Sequence, residues 1–150
     1  MPKLQLLNTP NDSILDATRP WYEDMREAAR KQFIKTQDVH QLTERLTAIT
    51  DELVTRLYEY YVDETNSVAL IATGGYGRRD QCPYSDVDLL CIYEPNHAGQ
   101  AATLVESILY VLWDMDIKVG HAHRTVDDTI LLAEEDIQIC TNLLDARFII

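Results

Sequence analysis

The sequence of 150 residues is poor in cysteine, in glycine and proline, and in long apolar runs, and each shortage excludes a class of protein. Its three cysteines contain no C-x-x-C pair, which argues against a disulfide scaffold and against a zinc site. Five glycines and five prolines exclude a collagen-like or low-complexity chain. No apolar run approaches the roughly 20 residues of a membrane span, and the N-terminus lacks a signal-peptide pattern. We therefore expect a cytoplasmic protein with reduced thiols and no membrane partner.

Basic residues are also scarce, since 13 Lys and Arg stand against 25 Asp and Glu and give a formal net charge of −12. A nucleic-acid backbone would repel such a chain, so we expect no nucleic acid among its partners. An acidic protein can still handle a phosphate where basic groups or metal ions gather at one site. The apolar content of 46% is ordinary for a globular domain that buries a core.

Three segments can be distinguished along the chain. Residues 1–20, rich in proline, asparagine and aspartate, are predicted to form an extended or flexible lead-in. Residues 21–65 form a predicted helical region, in which apolar residues recur at three- and four-residue steps from Val39 to Tyr61 after Asp38 as N-cap. Residues 66–150 form the predicted catalytic core. Because the sequence ends on an apolar Phe-Ile-Ile, we expect a core truncated at its C-terminus, within a longer protein.

The core alternates between short apolar runs and helical stripes, which favours an α+β or α/β fold. A small mixed sheet would have helices behind it and the helical region before it. The predicted strands cover 68–72, 86–93, 117–123 and 142–150, and the predicted helices cover 21–34, 39–61, 99–113 and a segment that continues through residue 137 after a capping box at Thr125.

The most informative stretch joins a glycine turn to a pair of acids. Gly74 and Gly75 follow the first predicted strand, Ser85 comes about ten residues later, and Asp86 and Asp88 begin the next strand. Positions i and i+2 of a strand share a face, so the two carboxylates lie side by side. Like charges this close are costly unless a cation or proton lies between them. The pair therefore predicts a site for a divalent ion with oxygen ligands, most simply Mg²⁺.

The glycines suit a phosphate ligand. Gly74 and Gly75 let the backbone approach a ligand and expose N–H groups to it. Ser85 adds a hydroxyl donor, and Arg78 and Arg79 supply positive charge to a triphosphate or to a protein partner. A lone Gly-Gly is usually a turn and a lone D-x-D is usually a solvated strand edge or an N-cap. The combination, in the order strand, Gly-Gly, loop, Ser-Asp-x-Asp, strand, indicates a functional site.

These residues resemble the signature of the DNA polymerase β-like nucleotidyltransferase superfamily, which implies its nucleotidyltransferase fold. Within that superfamily the sequence is similar to the bacterial PII uridylyltransferase/uridylyl-removing enzymes over about residues 68–150. The similar blocks are Gly-Gly-Tyr-Gly-Arg from residue 74, Pro-x-Ser-Asp-Val-Asp-Leu-Leu from residue 83, Leu112-Trp-Asp114, Val119-Gly-His121, Arg124-Thr125 and Thr141-Asn-Leu-Leu-Asp-Ala-Arg147.

The resemblance implies transfer of UMP from UTP to a tyrosine of the nitrogen-regulatory PII protein, with release of pyrophosphate. Members of this family carry a metal-dependent HD domain and two ACT domains, which here would lie beyond residue 150. The resemblance also assigns the triphosphate to Gly74, Gly75, Ser85 and Arg78. Whether 150 residues are enough for catalysis stays open at this point, and an inactive fragment is one of the expectations.

The resemblance further implies three metal-binding, catalytic carboxylates. Asp86 and Asp88 are two of them. The third is assigned to Asp145, which lies in the fourth predicted strand within a hydrophobic–acid–hydrophobic pattern and would help to deprotonate the tyrosine. Asp145 could instead be a solvated acid at a strand end. Asp116 is the second choice, and Asp114 fits a helix end better.

Two departures from the family pattern bear on substrate choice. Arg79 stands where the family usually has glycine, and Ala122-His123 stands where it usually has Ser-Val. Alternatives therefore stay open: a nucleotidyltransferase with another acceptor or nucleotide, or a non-catalytic nucleotide-binding regulatory module. A helical interaction domain over 21–62 is a third reading, although core packing already explains its stripe. His121 and His123 are interpreted as polar strand residues in preference to metal ligands.

Overall fold

The computed structural model describes residues 10–62 and 68–150. Within these ranges the helices are α1 (Pro10–Thr36), α2 (Val39–Tyr61), α3 (Gly74–Gly77), α4 (Ala98–Asp114), α5 (Val126–Glu135) and α6 (Ile137–Leu144), with a 3-10 turn at Pro95–His97. The strands are β1 (Val68–Ala72), β2 (Val87–Tyr93), β3 (Val119–Arg124) and β4 (Arg147–Phe148). No helix in the described part is both long enough and apolar enough to cross a membrane.

The helical region consists of α1 packed against α2. Helix α2 begins as predicted, because the Asp38 carboxylate accepts a hydrogen bond of 3.0 Å from the Gln41 N–H and so satisfies a free donor of the first turn. Its apolar stripe is largely buried, and Leu53 and Leu57 have no exposed surface. The predicted boundary of this region at residue 65 lies outside the described residues.

The prediction of an extended lead-in over 1–20 is wrong from Pro10 onward, because α1 begins there; residues 1–9 lie outside the described residues. Proline is favourable in a first helical turn, where its missing N–H has no partner to lose. Pro20 lies in the helix interior, where it costs a hydrogen bond. Tertiary packing offsets that cost, since Tyr22 and Ala29 of α1 are buried in the hydrophobic core and Trp21 packs against it. The prolines and polar residues of this segment therefore led to the wrong prediction.

The four strands form one mixed sheet in the order β3-β2-β1-β4. Strand β1 is antiparallel to β2 and to β4, and β2 is parallel to β3, with Asp88 opposite Gly120. One sheet face, which includes Leu70 and Ala72, is buried in a core shared with α2 and α4. Asp88 belongs to the opposite face, because neighbouring Leu89 is buried in that core. The predicted α+β fold with a small mixed sheet and an N-terminal helical region is confirmed.

The prediction for the end of the chain needs correction. We expected a strand over 142–150, but α6 continues to Leu144 and β4 is only two residues long. The Asp136 carboxylate caps α6 by accepting from the Gln138 N–H at 2.7 Å, which separates α5 from α6 and starts a new helix. Residues 142–144 of the predicted strand are therefore helical, and the strand itself is limited to β4. By contrast, the predicted cap at Thr125 is confirmed, with its hydroxyl accepting from the Asp128 N–H at 3.1 Å.

Candidate active site

The two acids of the D-x-D motif lie at the start of β2. Asp86 is exposed and lies one residue before the strand, so the predicted start at residue 86 is one residue early, and Asp88 is the second residue of β2. Partial burial raises the pKa of Asp88, and the negative charge of nearby Asp86 raises it further. A bound cation would relieve both effects, because it favours the charged form of each carboxylate.

The Asp88 carboxylate lies between two glycines. A Cβ built on Gly74 would come within 2.8 Å of Asp88 Oδ2, and one built on Gly120 would come within 2.4 Å of Asp88 Oδ1. Both distances are too short for a real side chain, so a larger residue at either position would push the Asp88 carboxylate aside. Mg²⁺ takes oxygen ligands and is usually bound by one or two carboxylates together with phosphate oxygens and water, and Asp86 and Asp88 supply two carboxylates. The residues present therefore fit the ion that the sequence analysis predicted.

Gly120 is a site residue that the sequence analysis did not single out. Its signal is present in the sequence, because a glycine inside a predicted strand weakens the strand and often marks a close approach. What could not be read is that Gly120 pairs with Asp88, since that depends on the parallel register of β2 and β3.

The glycine turn is the one-turn helix α3. The Thr73 N–H donates to the Asp88 carbonyl at 3.0 Å, and this bond ties the start of α3 to the carboxylate strand. Gly74 has a φ of +56°, a left-handed conformation that favours glycine. The first N–H groups of a helix have no acceptor inside the helix, so this turn can present donors to a phosphate. A Cβ on Gly75 would meet nothing closer than Arg78 Nη2 at 3.9 Å, so its surroundings are open.

Ser85 closes the turn that leads into the acids. Its hydroxyl oxygen accepts a hydrogen bond of 2.8 Å from the Cys82 N–H, and its own N–H donates to the Cys82 carbonyl at 3.1 Å. Because the Ser85 oxygen is the acceptor in this bond, the hydroxyl proton can still be donated to another group. Ser85 therefore shapes the approach to Asp86 and keeps the donor that the sequence analysis assigned to it.

Arg78 and Asp145 form an ion pair. Asp145 is the C-cap residue of α6, so its predicted position inside a strand is wrong. Its carboxylate accepts from the Arg78 guanidinium, and Asp80 lies 3.5 Å from the same group. The hydrogen bond and charge of Asp145 raise the pKa of Arg78 above its ordinary value. In the described ranges no group of three acidic, histidine or cysteine side chains is arranged to hold a metal ion, so Asp145 does not join Asp86 and Asp88 here.

The remaining sequence candidates lie around β3. Asp114 is the last residue of α4, as its helix-end interpretation predicted, and Asp116 has a φ of +59° in the turn that follows. The His121 ring lies 5.9 Å from the Trp113 ring, and the ring of His123 lies 6.4 Å from that of Tyr93.

Comparison with known protein families identifies the family of this chain. A family model described as "Putative nucleotidyltransferase DUF294" matches residues 23–122, which is two thirds of the chain and includes Asp86 and Asp88 together with Gly74 and Gly120. The chain belongs to this nucleotidyltransferase family. The match also covers most of the helical region, so the family unit extends beyond the sheet.

Several relatives share the name "Bifunctional uridylyltransferase/uridylyl-removing enzyme". The one from Photobacterium profundum is 37% identical over 128 residues, covering 85% of this chain and 15% of the relative. The one from Phenylobacterium zucineum is 40% identical over 111 residues, covering 68% of this chain and 12% of the relative. The one from Bradyrhizobium sp. (strain ORS 278) is 38% identical over 133 residues, covering 83% of this chain and 14% of the relative. The chain thus spans about one seventh of these proteins.

Proposed function

We propose that this nucleotidyltransferase domain transfers UMP from UTP to a tyrosine of the PII signalling protein, with Mg²⁺ as cofactor, in a bacterial cytoplasm. The observation that carries the proposal is the Asp88 carboxylate held beside Asp86 between Gly74 and Gly120. The names of the similar relatives supply the uridylyl group. The Mg²⁺ requirement, UTP, the tyrosine and PII are parts of the proposal.

In this proposal the acidic residues bind the metal ion, and the glycine turn and Ser85 bind the phosphates. Asp86 and Asp88 would hold the metal ion, which supplies positive charge for the phosphate oxygens and for the leaving pyrophosphate. The N–H groups at the start of α3, with Gly74 and Gly75, would bind phosphate oxygens, and the Ser85 hydroxyl would donate to the same group. In-line attack by the tyrosine oxygen on the α-phosphorus then forms the new P–O bond while the bond to pyrophosphate breaks.

Arg78 and Asp145 enter the proposal as a pair. The triphosphate would attract the Arg78 guanidinium, which is half exposed and already paired with Asp145. Phosphate oxygens would therefore compete with Asp145 for Arg78. Release of Asp145 would free a carboxylate for its proposed role as third metal ligand and helper in deprotonating the tyrosine.

Binding of metal and nucleotide is the first test. Calorimetric titration of the chain with UTP in the presence of Mg²⁺ should show binding, and the Asp86→Asn/Asp88→Asn variant should lose it by on the order of a hundredfold or more. The control variant Asp24→Asn/Glu59→Gln removes two exposed charges on α1 and α2 and should bind as the wild type does.

The nucleotide and acceptor are then tested separately. Parallel titrations with ATP, CTP and GTP should show weaker binding than UTP, and a PII protein incubated with the chain and Mg²⁺–UTP should gain one uridylyl group per subunit by mass spectrometry. Preference for another nucleotide would leave nucleotidyl transfer in place and contradict the UTP assignment. Binding of nucleotide without any transfer to PII, even by a longer version of the protein, would favour a regulatory module.

A further inference from the structure

Arg147 joins three parts of the chain beneath the glycine turn. Its guanidinium makes a two-pronged ion pair with Asp51 of α2, with both N–O distances at 2.9 Å. It also donates to the carbonyl of Gly77 at 3.2 Å and to that of Tyr76 at 3.3 Å. The side chains of Arg147 and Asp51 are only 19% and 23% exposed, so water weakens these contacts less than it would at the surface.

These contacts explain how a single helical turn is held in place. A four-residue helix has little stability of its own, and its last carbonyls have no partners inside the helix. Arg147 supplies donors to two of those carbonyls and places a positive charge at the negative end of the turn. The guanidinium also lies 5.4 Å from the centre of the Tyr76 ring, which is fully buried.

Helix α3 is also packed closely against the backbone at Asp145. A Cβ on Gly77 would come within 2.1 Å of the Asp145 carbonyl oxygen, so the segment that contains Arg147 lies directly against α3. The other end of α3 is Gly74, beside Asp88. A displacement of α3 would therefore move the phosphate-binding end relative to the carboxylates.

We propose that Arg147, held by Asp51, is a positioning residue that fixes the orientation of the glycine turn for the nucleotide triphosphate. The inference rests on the proposed nucleotide site and adds a role for α2, because Asp51 belongs to the helical region that precedes the sheet. Arg147 itself need not touch the nucleotide. Its effect passes through the Tyr76 and Gly77 carbonyls.

The test separates positioning from general stability. Lysine retains the charge of Arg147 but cannot make the two-pronged pair and reach both carbonyls, so Arg147→Lys should weaken binding of Mg²⁺–UTP by on the order of tenfold to a hundredfold. Asp51→Asn, which keeps the size of the side chain, should act in the same direction. Binding of Mn²⁺ alone, followed by its electron paramagnetic resonance signal, should be unchanged because Asp86 and Asp88 are intact.

Arg30→Lys is the matched control, because Arg30 pairs with Glu27 on the exposed surface of α1. It should change neither affinity. Amide hydrogen exchange should be faster at residues 77–80, whose N–H groups donate to the carbonyls of residues 73–76, in Arg147→Lys and Asp51→Asn and unchanged in β1 and β2.

Unchanged Mg²⁺–UTP affinity in both variants would overturn the inference. So would a parallel loss of Mn²⁺ binding, nucleotide binding and thermal stability, since that pattern describes a merely structural ion pair. A wild-type chain that binds no nucleotide would instead contradict the proposed function, and with it this inference. In that case the exchange experiment would still report whether Arg147 holds α3.

Discussion

At the residue scale, glycine is used where the carboxylate of Asp88 needs space. Glycine inside a strand costs stability, because it loses more conformational freedom on folding and packs no side chain. Gly120 is nevertheless the second residue of β3, opposite Asp88. The 2.4 Å that would separate its Cβ from Asp88 Oδ1 explains the choice, since any side chain would displace the carboxylate.

We expect Gly120→Ala to weaken binding of Mg²⁺–UTP by roughly tenfold or more, because the added methyl group pushes Asp88 out of position. Calorimetric titration measures the change. Gly99→Ala is the control, since a Cβ at that position meets no atom within 4 Å and the residue lies in the first turn of α4. Equal affinity of the two variants would show that the space around Asp88 is not required for ligand binding.

Asp145 shows the limit of reading a role from sequence spacing. Its apolar neighbours suggested a strand, and a strand would have placed the acid on the sheet near Asp86 and Asp88. The residue instead ends α6 and pairs with Arg78. That Asp145 is an acid is given by the sequence. Its position in the fold depended on whether the short apolar run around it formed a helix or a strand, which the sequence pattern does not decide.

At the element scale, the starts of α2 and α5 could be predicted from the sequence. Asp38, Thr125 and Asp136 all cap helices with their side chains, and the first two were identified from sequence because capping is a local hydrogen bond between near neighbours. Helix α3 is the opposite case. Its four residues are held by Arg147, which is 70 residues away from Gly77 in sequence.

We expect Asp38→Ala to lower the free energy of unfolding by about 1 kcal/mol, because the Gln41 N–H loses its acceptor at the start of α2. Urea denaturation measures the loss. Asp38→Ser retains a side-chain acceptor and should restore most of the stability. If the alanine and serine variants are equally stable, the cap contributes nothing and α2 is held by its packing alone.

At the scale of the whole molecule, the helical region and the sheet share one apolar core. Leu53 and Leu57 of α2 belong to the same buried cluster as Leu70 of β1 and Leu112 of α4. The Thr50 hydroxyl of α2 also donates a hydrogen bond of 2.7 Å to the buried side chain of Gln81, in the loop between α3 and β2. The sheet and helices α1, α2 and α4 should therefore unfold together.

We expect one cooperative urea transition, seen at the same concentration by circular dichroism and by the fluorescence of Trp21 and Trp113. Leu53→Ala should lower the free energy of unfolding by about 2–5 kcal/mol and shift both signals together, because it leaves a cavity in the shared core. Leu131→Ala, at a side chain that is 55% exposed, should have little effect. Separate transitions would mean that the helical region folds independently of the sheet.

The sequence by itself determined the features that depend on near neighbours: the period of α2, the caps at Asp38 and Thr125, the apolar run of β1 and the pairing of two acids two residues apart. Only the tertiary structure decided which remote residues meet. Gly120 faces Asp88 through the register of parallel strands, and Arg147 reaches Asp51 across 96 residues of chain. Such contacts depend on how the elements pack together, and the residues involved carry no local mark of their partners.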